Sequence, residues 1–218
     1  MAMQRDTYHH GDLRQALINA ALELVAEQDV RSLSLREVAR RVGVSHTAPY
    51  RHFVDKDALL ATVAEEGFGM LSHSLQADLQ QPTKDPLKQL ETAGVAYVRY
   101  AIEHPSHYRV MFGAYEVNKQ THPSLADASK QAFMVLVNVI VEGQKAGVVR
   151  SGEPRQLAQA AWALVHGLAM LLIDGRLSVT EDQTLNSLSS FITRMLIEGL
   201  AKLDSFEETQ RRGDVERE

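Results

Sequence analysis

The stretch LSLREVARRVGVSHTAPYRHF, Leu33 to Phe53, decides how this chain is read. Leu35, Val38, Ala39 and Val42 recur at helical spacing. Ser34 stands where an N-cap belongs, and Glu37 lies three residues on, the spacing of a capping box. Gly43 is suited to the left-handed backbone that ends a helix. Ser45 follows as the N-cap expected for a second helix. Helix, short glycine turn, helix is the helix-turn-helix arrangement, in which the second helix presents its outer face to the DNA major groove. Val38, Val42 and Val44 form the wedge between the two helices, and small Ala39 permits a close crossing. The exposed candidates for DNA contact are Ser45, His46, Thr47, Ala48, Tyr50, Arg51 and His52, with Arg36 beside them and Lys56 beyond. Hydroxyls and guanidinium groups suit phosphates, and Arg51 also suits guanine.

Working outward, the flanks are helical as well. Leu13, Leu17, Ala20, Ala21 and Leu24 predict a helix over about residues 11–28. Asp55 caps a long helix that ends before Pro82. Asp85 and Pro86 open another, which runs to His104. A short aromatic helix is expected over 105–116, a loop over 118–123, and long helices over 124–146, 153–176 and 181–203. No segment alternates as a strand does. The expected fold is all-α, with about nine helices. Residues 1–56 are expected to form the helix-turn-helix domain, and 57–203 a larger helical effector-binding and dimerisation domain. The charged tail 204–218 is expected to be disordered.

Charge and composition narrow the function. The net charge is −5, yet the first 60 residues hold eight basic and eight acidic side chains, so the excess acidity lies outside them. Between 36 and 56, Arg36, Arg40, Arg41, Arg51 and Lys56 face only Glu37 and Asp55. A DNA-binding surface must therefore be local. With no cysteine, disulfides, thiolate metal sites and thiol chemistry are excluded. No glycine-rich phosphate loop, nucleophile elbow or facing carboxylate pair is present, so no catalytic site and no cofactor is expected. His104 and His107 could join His122 or His166 around a metal, but a cap and a surface residue explain the pair, and no metal is expected. The N-terminus lacks an apolar leader. The apolar run at 160–173 is broken by His166 and Gly167 and reads as too short and polar to span a bilayer. The expected location is the cytoplasm.

The segment S-x-x-E-V-A-x-x-x-G-V-S, followed by Y-x-H-F-x-x-K-x-x-L-L, resembles the N-terminal domain of TetR-family regulators. That resemblance implies three N-terminal helices that bind DNA and a larger domain that binds ligand and dimerises. It also implies a phosphate contact for Lys56, and the family's tyrosine and buried phenylalanine at Tyr50 and Phe53. The family's usual leucine is Pro49 here. Tyr8–Arg14, His104–Phe112 and Trp162–Gly167 are similar to a subgroup with a Trp-…-His-Gly motif in its C-terminal domain.

Two further groups belong to the C-terminal region. Tyr97, Tyr100, Tyr108, Met111, Phe112, Phe133, Trp162, His166 and Met170 are candidates for an effector pocket, with plain core as the competing reading. Trp162 and His166 enter that group through the subgroup resemblance. Leu168, Leu172, Leu185, Leu188, Ile192, Met195, Leu196 and Gly199 mark two apolar helices that would pair with their copies as a four-helix bundle. The expected function is a homodimeric regulator, a repressor, that binds a near-palindromic operator and is released by a small, largely apolar effector. The alternative is a DNA-bound structural or accessory protein with no ligand.

Overall fold

The computed structural model describes residues 10–80, 85–113, 117–179 and 184–200. These form α1 (His10–Glu27), α2 (Leu35–Val42), α3 (Lys56–Leu79), α4 (Pro86–Glu103), α5 (Pro105–Phe112), α6 (Pro123–Lys145), α7 (Pro154–Ile173) and α8 (Leu185–Leu200). Two single turns of 3-10 helix, Val30–Ser32 and Pro49–Arg51, complete them. The fold is all-helical, as expected. Among the described residues there are eight α-helices rather than about nine, because the helix expected from Ser45 is a turn and a 3-10 turn. Residues 204–218, expected to be disordered, lie outside the described residues.

The helix ends follow local chemistry. The Asp55 carboxylate accepts from Ala58 N at 2.8 Å and Asp85 from Leu87 N at 2.9 Å. Pro86, Pro105, Pro123 and Pro154 each stand at the first position of a helix, where a missing N–H costs nothing. Glu153 caps α7 by accepting from Gln156 N at 2.8 Å.

The chain divides into two compact units at three points, inside α3, between α4 and α5, and inside α6. One comprises Met1–Met70 with His104–Lys130. In it α1 packs on α2 and on α5. Leu17, Ile18, Val25, Val38, Leu59, Leu60 and Val63 are fully buried, and Phe53 nearly so. On its surface Arg41 donates to Glu27 at 2.9 Å and to Glu23 at 3.3 Å, tying α2 to α1. This engagement holds the Glu27 carboxyl below its ordinary value.

The second unit comprises Leu71–Glu103 with Gln131–Glu218. Here α4 packs against both α7 and α8, and α7 against α8. Leu90, Val137, Ile140, Val149, Ala158 and Ile197 make its core cluster. Helices α4 and α8 approach closely at Gly94. A Cβ there would lie 2.5 Å from Thr193 Oγ1 and 2.8 Å from Thr193 Cγ2, so only glycine admits this crossing of α4 and α8.

One sequence expectation needs correction. By length and composition α6 and α7 are each long and apolar enough to cross a bilayer. The run considered from sequence stopped at 160–173, whereas α7 extends to Pro154 and adds a full turn and more. Apolarity on several sides also suits a helix packed against two neighbours, as α7 is against α4 and α8.

Candidate nucleic-acid interface and effector cavity

Ser34 caps α2 as its position implied, accepting from Glu37 N at 3.3 Å. The reciprocal half of the box is not made by Glu37, whose carboxylate instead accepts from Gln28 Nε2 at 3.1 Å and lies 3.6 Å from Arg40. Gly43 takes φ +77°, the left-handed conformation. Its N–H reaches Arg40 O at 3.2 Å, and Val44 N–H reaches Ala39 O at 3.0 Å, closing the helix end.

After this turn the structure departs from the sequence reading. Ser45 is not the N-cap of a regular α-helix. Ala48 N donates to Ser45 O at 3.0 Å, closing a turn, and Pro49–Arg51 follows as a single 3-10 turn. The cause is Pro49. An α-helix through this segment would need the N–H of residue 49 to donate to Ser45 O, four residues back. Proline has no such donor, and its ring crowds that carbonyl. The carbonyl of Ser45 takes the Ala48 N–H instead. Pro49 O then accepts from both His52 N and Phe53 N at 2.9 Å. Pro49 itself is buried.

The result is a short, tightly wound segment with a polar outer side. Arg36, Ser45, His46, Thr47, Tyr50 and Arg51 are exposed, and Ala48, His52 and Lys56 are half-buried. Ser45 Oγ and Thr47 Oγ1 lie 3.1 Å apart. Val54, 79% exposed, continues this surface and was not singled out from sequence. Lys56 Nζ donates to Arg31 O at 2.8 Å, so one of its three donors secures the preceding loop. Burial lowers its pKa, against the opposing pull of Asp57 and Asp29. Asp29 accepts from both the side chain and the backbone N–H of Arg31 and is held at about 2.

The nine aromatic, methionine and histidine candidates fall into two separate groups. Tyr108, Met111 and Phe112 lie in the unit that carries the helix-turn-helix. There Phe112 stands edge-on to Phe68 with centroids 5.3 Å apart, and 4.9 Å from Tyr108. The others lie in the second unit. Trp162 Nε1 donates to Tyr97 Oη at 3.0 Å, and Tyr97 Oη lies 3.1 Å from His166 Nδ1. Phe133 stands edge-on to Trp162 at 6.2 Å. Tyr97 and Trp162 border a cavity of about 30 Å³, closed also by Leu75, Gly94, Leu136 and Thr193. That space holds one or two waters, not an organic molecule. Tyr100 is buried beside this group, and burial pushes its hydroxyl well up. Met170 is half-buried and does not border the cavity. Gly94 and Thr193 escaped the sequence reading. The available signal was the Ser189–Thr193 pair in α8, two hydroxyls that are buried yet satisfied by the carbonyls four residues back, at 2.7 and 2.8 Å.

His166 permits a pH test. Its pKa is lowered by burial, so the folded unit favours the neutral ring. The unfolded chain therefore takes up the proton first as the pH falls. The stabilisation is complete above the ordinary value of 6.5 and is lost as pH drops through the lowered native one. Wild type should lose more urea stability between about pH 7 and about pH 5 than His166→Gln does. Equal losses in the two proteins would contradict this assignment. His107, lowered by burial and then by His104, acts in the same sense and should be compared as His107→Gln.

Of the residues expected at a dimer face, Leu168 is buried within its own unit. Leu172, Leu185, Leu188, Ile192 and Leu196 are half-buried, and Met195 and Gly199 are exposed. Leu164, Leu171 and Phe191, not singled out from sequence, are also exposed, Phe191 by 56%. His104 and His107 lie edge to plane with centroids 6.1 Å apart. Among the described residues no group of three or more histidines and carboxylates converges as a metal site.

Comparison with known proteins gives a consistent picture. Residues 17–63 match the family described as bacterial regulatory proteins, tetR family, and residues 90–214 match the tetracyclin repressor-like C-terminal domain. A solved structure of a protein with unknown function from Rhodococcus sp. RHA1 is 30% identical. The match covers 91% of this chain and all of that one, with a TM-score of 0.75. The TetR family transcriptional regulator PfmR from Thermus thermophilus is 18% identical over 85% of this chain and 99% of its own, with a TM-score of 0.69. The fatty acid degradation regulator FadR from Bacillus halodurans is 15% identical over 87% and 97%, with a TM-score of 0.70. At these last two identities the likeness is one of fold.

Proposed function

The chain belongs to the TetR family of bacterial regulatory proteins, and on that premise we propose that it is a cytoplasmic homodimeric repressor whose DNA grip is released by a small, largely apolar effector. The observation that carries the reading is the segment Ser45–Arg51, which exposes Ser45, His46, Thr47, Tyr50 and Arg51, is set by the left-handed turn at Gly43 and is stiffened by the buried Pro49. Residues 1–56 act as the reading head. Tyr50 and Arg51 reach the duplex, Ser45, His46 and Thr47 meet bases or phosphate, and Arg36 and Lys56 hold the phosphate backbone. Residues 57–203 bind effector and dimerise. Trp162, His166 and Gly167 support assignment to the subgroup with the Trp-…-His-Gly motif.

The exposed apolar side chains of α7 and α8 supply the dimer contact, with Leu164, Leu171, Phe191 and Met195 joining the half-buried leucines. A two-fold dimer sets its two reading heads on half-sites about one DNA turn or a multiple of it apart, so the operator is near-palindromic. An effector entering beside Tyr97 and Trp162 must enlarge a cavity of about 30 Å³, and it shifts the DNA equilibrium only by its preference for the enlarged state. The smallness of that space favours a second reading, a DNA-bound accessory protein of the same fold with no effector.

Selection of bound sequences from random duplex DNA tests the proposal. Wild type should enrich an inverted repeat, and Arg51→Ala should weaken binding to it by about 1–3 kcal/mol. Absence of any enriched repeat would refute operator reading. A repeat whose binding no cell extract of small molecules weakens would favour the accessory reading.

A further inference from the structure

The segment between Gly43 and α3 is wound by hydrogen bonds that each span three residues. Ala48 N donates to Ser45 O at 3.0 Å, Arg51 N to Ala48 O at 3.2 Å and His52 N to Pro49 O at 2.9 Å. At its end a four-residue bond enters, from Phe53 N to Pro49 O at 2.9 Å. Ala48 is already right-handed helical, with φ −61° and ψ −42°. The φ that proline imposes suits a 3-10 helix and an α-helix alike. What residue 49 lacks is the donor that would reach Ser45 O and start an α-helix. The winding decides which side chains stand in line. In a 3-10 turn each residue advances by about 120°, so side chains three apart eclipse. Thr47 then lines up with Tyr50, and Arg51 is turned about 120° away from Thr47. In an α-helix the advance is about 100°, which brings Arg51 to within about 40° of Thr47 and swings Tyr50 about 60° off. All three side chains are exposed, so the winding sets what the duplex meets.

We propose that Pro49 is a positioning residue that sets the operator's base preference, an inference that rests on the operator reading above and adds to it. By withholding one N–H, Pro49 keeps Thr47 and Tyr50 on the line that meets base edges and turns Arg51 aside, toward phosphate. Pro49 is buried, so it acts through these side chains and not by contact with the duplex. The two windings present different chemistry. A threonine methyl and a tyrosine ring suit the methyl group of thymine, whereas a guanidinium pairs in bidentate fashion with guanine. The segment as it is wound here therefore favours thymine where Thr47 and Tyr50 meet the half-site. The same side chains on an α-helix would bring Arg51 into that line and favour guanine.

The test compares full-length wild type with Pro49→Ala and Pro49→Leu. Both substitutions restore the N–H, and they differ in bulk, so a shared effect belongs to the donor. Amide hydrogen exchange should show the N–H at position 49 protected in both variants, and carbon chemical shifts over 46–50 should move to α-helical values. Selection from random duplex DNA should then return inverted repeats with unchanged half-site spacing, which the dimer sets, but with guanine gained at the same half-site position in both variants. Each protein should bind its own repeat about tenfold or more tightly than the other's, the effect of one bidentate base contact. Arg51→Ala added to Pro49→Ala should erase the new guanine. A merely structural role for Pro49 would weaken binding to every sequence alike and leave the enriched repeat unchanged. An unprotected N–H at position 49, the wild-type repeat enriched by both variants, or a changed repeat in Pro49→Leu alone would each overturn the proposal. If wild type itself enriches no repeat, operator reading falls and this proposal with it. If wild type enriches a repeat that the variants share, this proposal alone falls.

Discussion

Truncating Phe53 to alanine is expected to destabilise the DNA-reading unit by about 3–5 kcal/mol, the usual cost of deleting a buried phenylalanine. The side chain is 3% exposed and lies directly after the 3-10 turn. The guanidinium of Arg14, on α1, stands 5.5 Å from its ring centroid. The ring therefore fastens the reading segment to the first helix as well as filling the core. Urea unfolding should show the loss, and operator binding should fall with it at temperatures where wild type is fully folded. Phe53→Leu should recover most of the stability, to within about 1.5 kcal/mol of wild type. If alanine costs less than about 1 kcal/mol, the ring does not hold this segment.

The second large effect is at the crossing of α4 and α8. Gly94→Ala should cost about 1–3 kcal/mol, because the new Cβ meets Thr193 at distances no real contact sustains. Thr193 is 1% exposed and hydrogen-bonded along its own helix, so it cannot swing aside freely. Thr193→Ala removes the obstructing Oγ1 and Cγ2. The double variant should therefore be more stable than the sum of the single losses indicates, by about 1 kcal/mol or more in a double-mutant cycle. Strict additivity would show that α8 moves away rather than resisting. Both residues border the cavity beside Tyr97, so the same cycle reports on the space available to an effector.

Local features of this structure were legible in the sequence and non-local ones were not. Ser34, Gly43, Asp55 and Asp85 act on backbone groups within four residues, and each does what its position implied. Even the departure after Gly43 had a local cause, since Ser45 lies four residues before Pro49. The aromatic groups behaved differently. Tyr108, Met111 and Phe112 share helical spacing with one another, as do Trp162 and His166, but spacing says nothing about which helices come together. It therefore joined in one list residues that the fold distributes over two units. Lys119 carried no periodic signal because it lies in a loop, and Phe68 looked like any apolar residue on a long helix. Only three-dimensional packing reveals that the Lys119 ammonium lies over the Phe68 ring. Leu168 shows the same limit, since an apolar stripe does not separate the side facing its own core from the side left outside.

The tie between Arg41 and the Glu23–Glu27 pair has a consequence for the electrostatics of DNA binding. Arg41 lies in the basic cluster, yet its charge is already met by carboxylates within the protein, and Lys56 has turned one donor to a backbone carbonyl. Ions condensed on DNA are liberated only by protein charges that settle on phosphates. Among the described residues of this surface, Arg36 and Arg51 make no ion pair, so under the proposed mode of DNA binding the entropy gained by freeing counterions would rest chiefly on them. Ionic strength then acts on this reading head in two ways. It weakens the phosphate grip, and by screening the carboxylates around Arg41 it loosens the strap that holds α2 to α1.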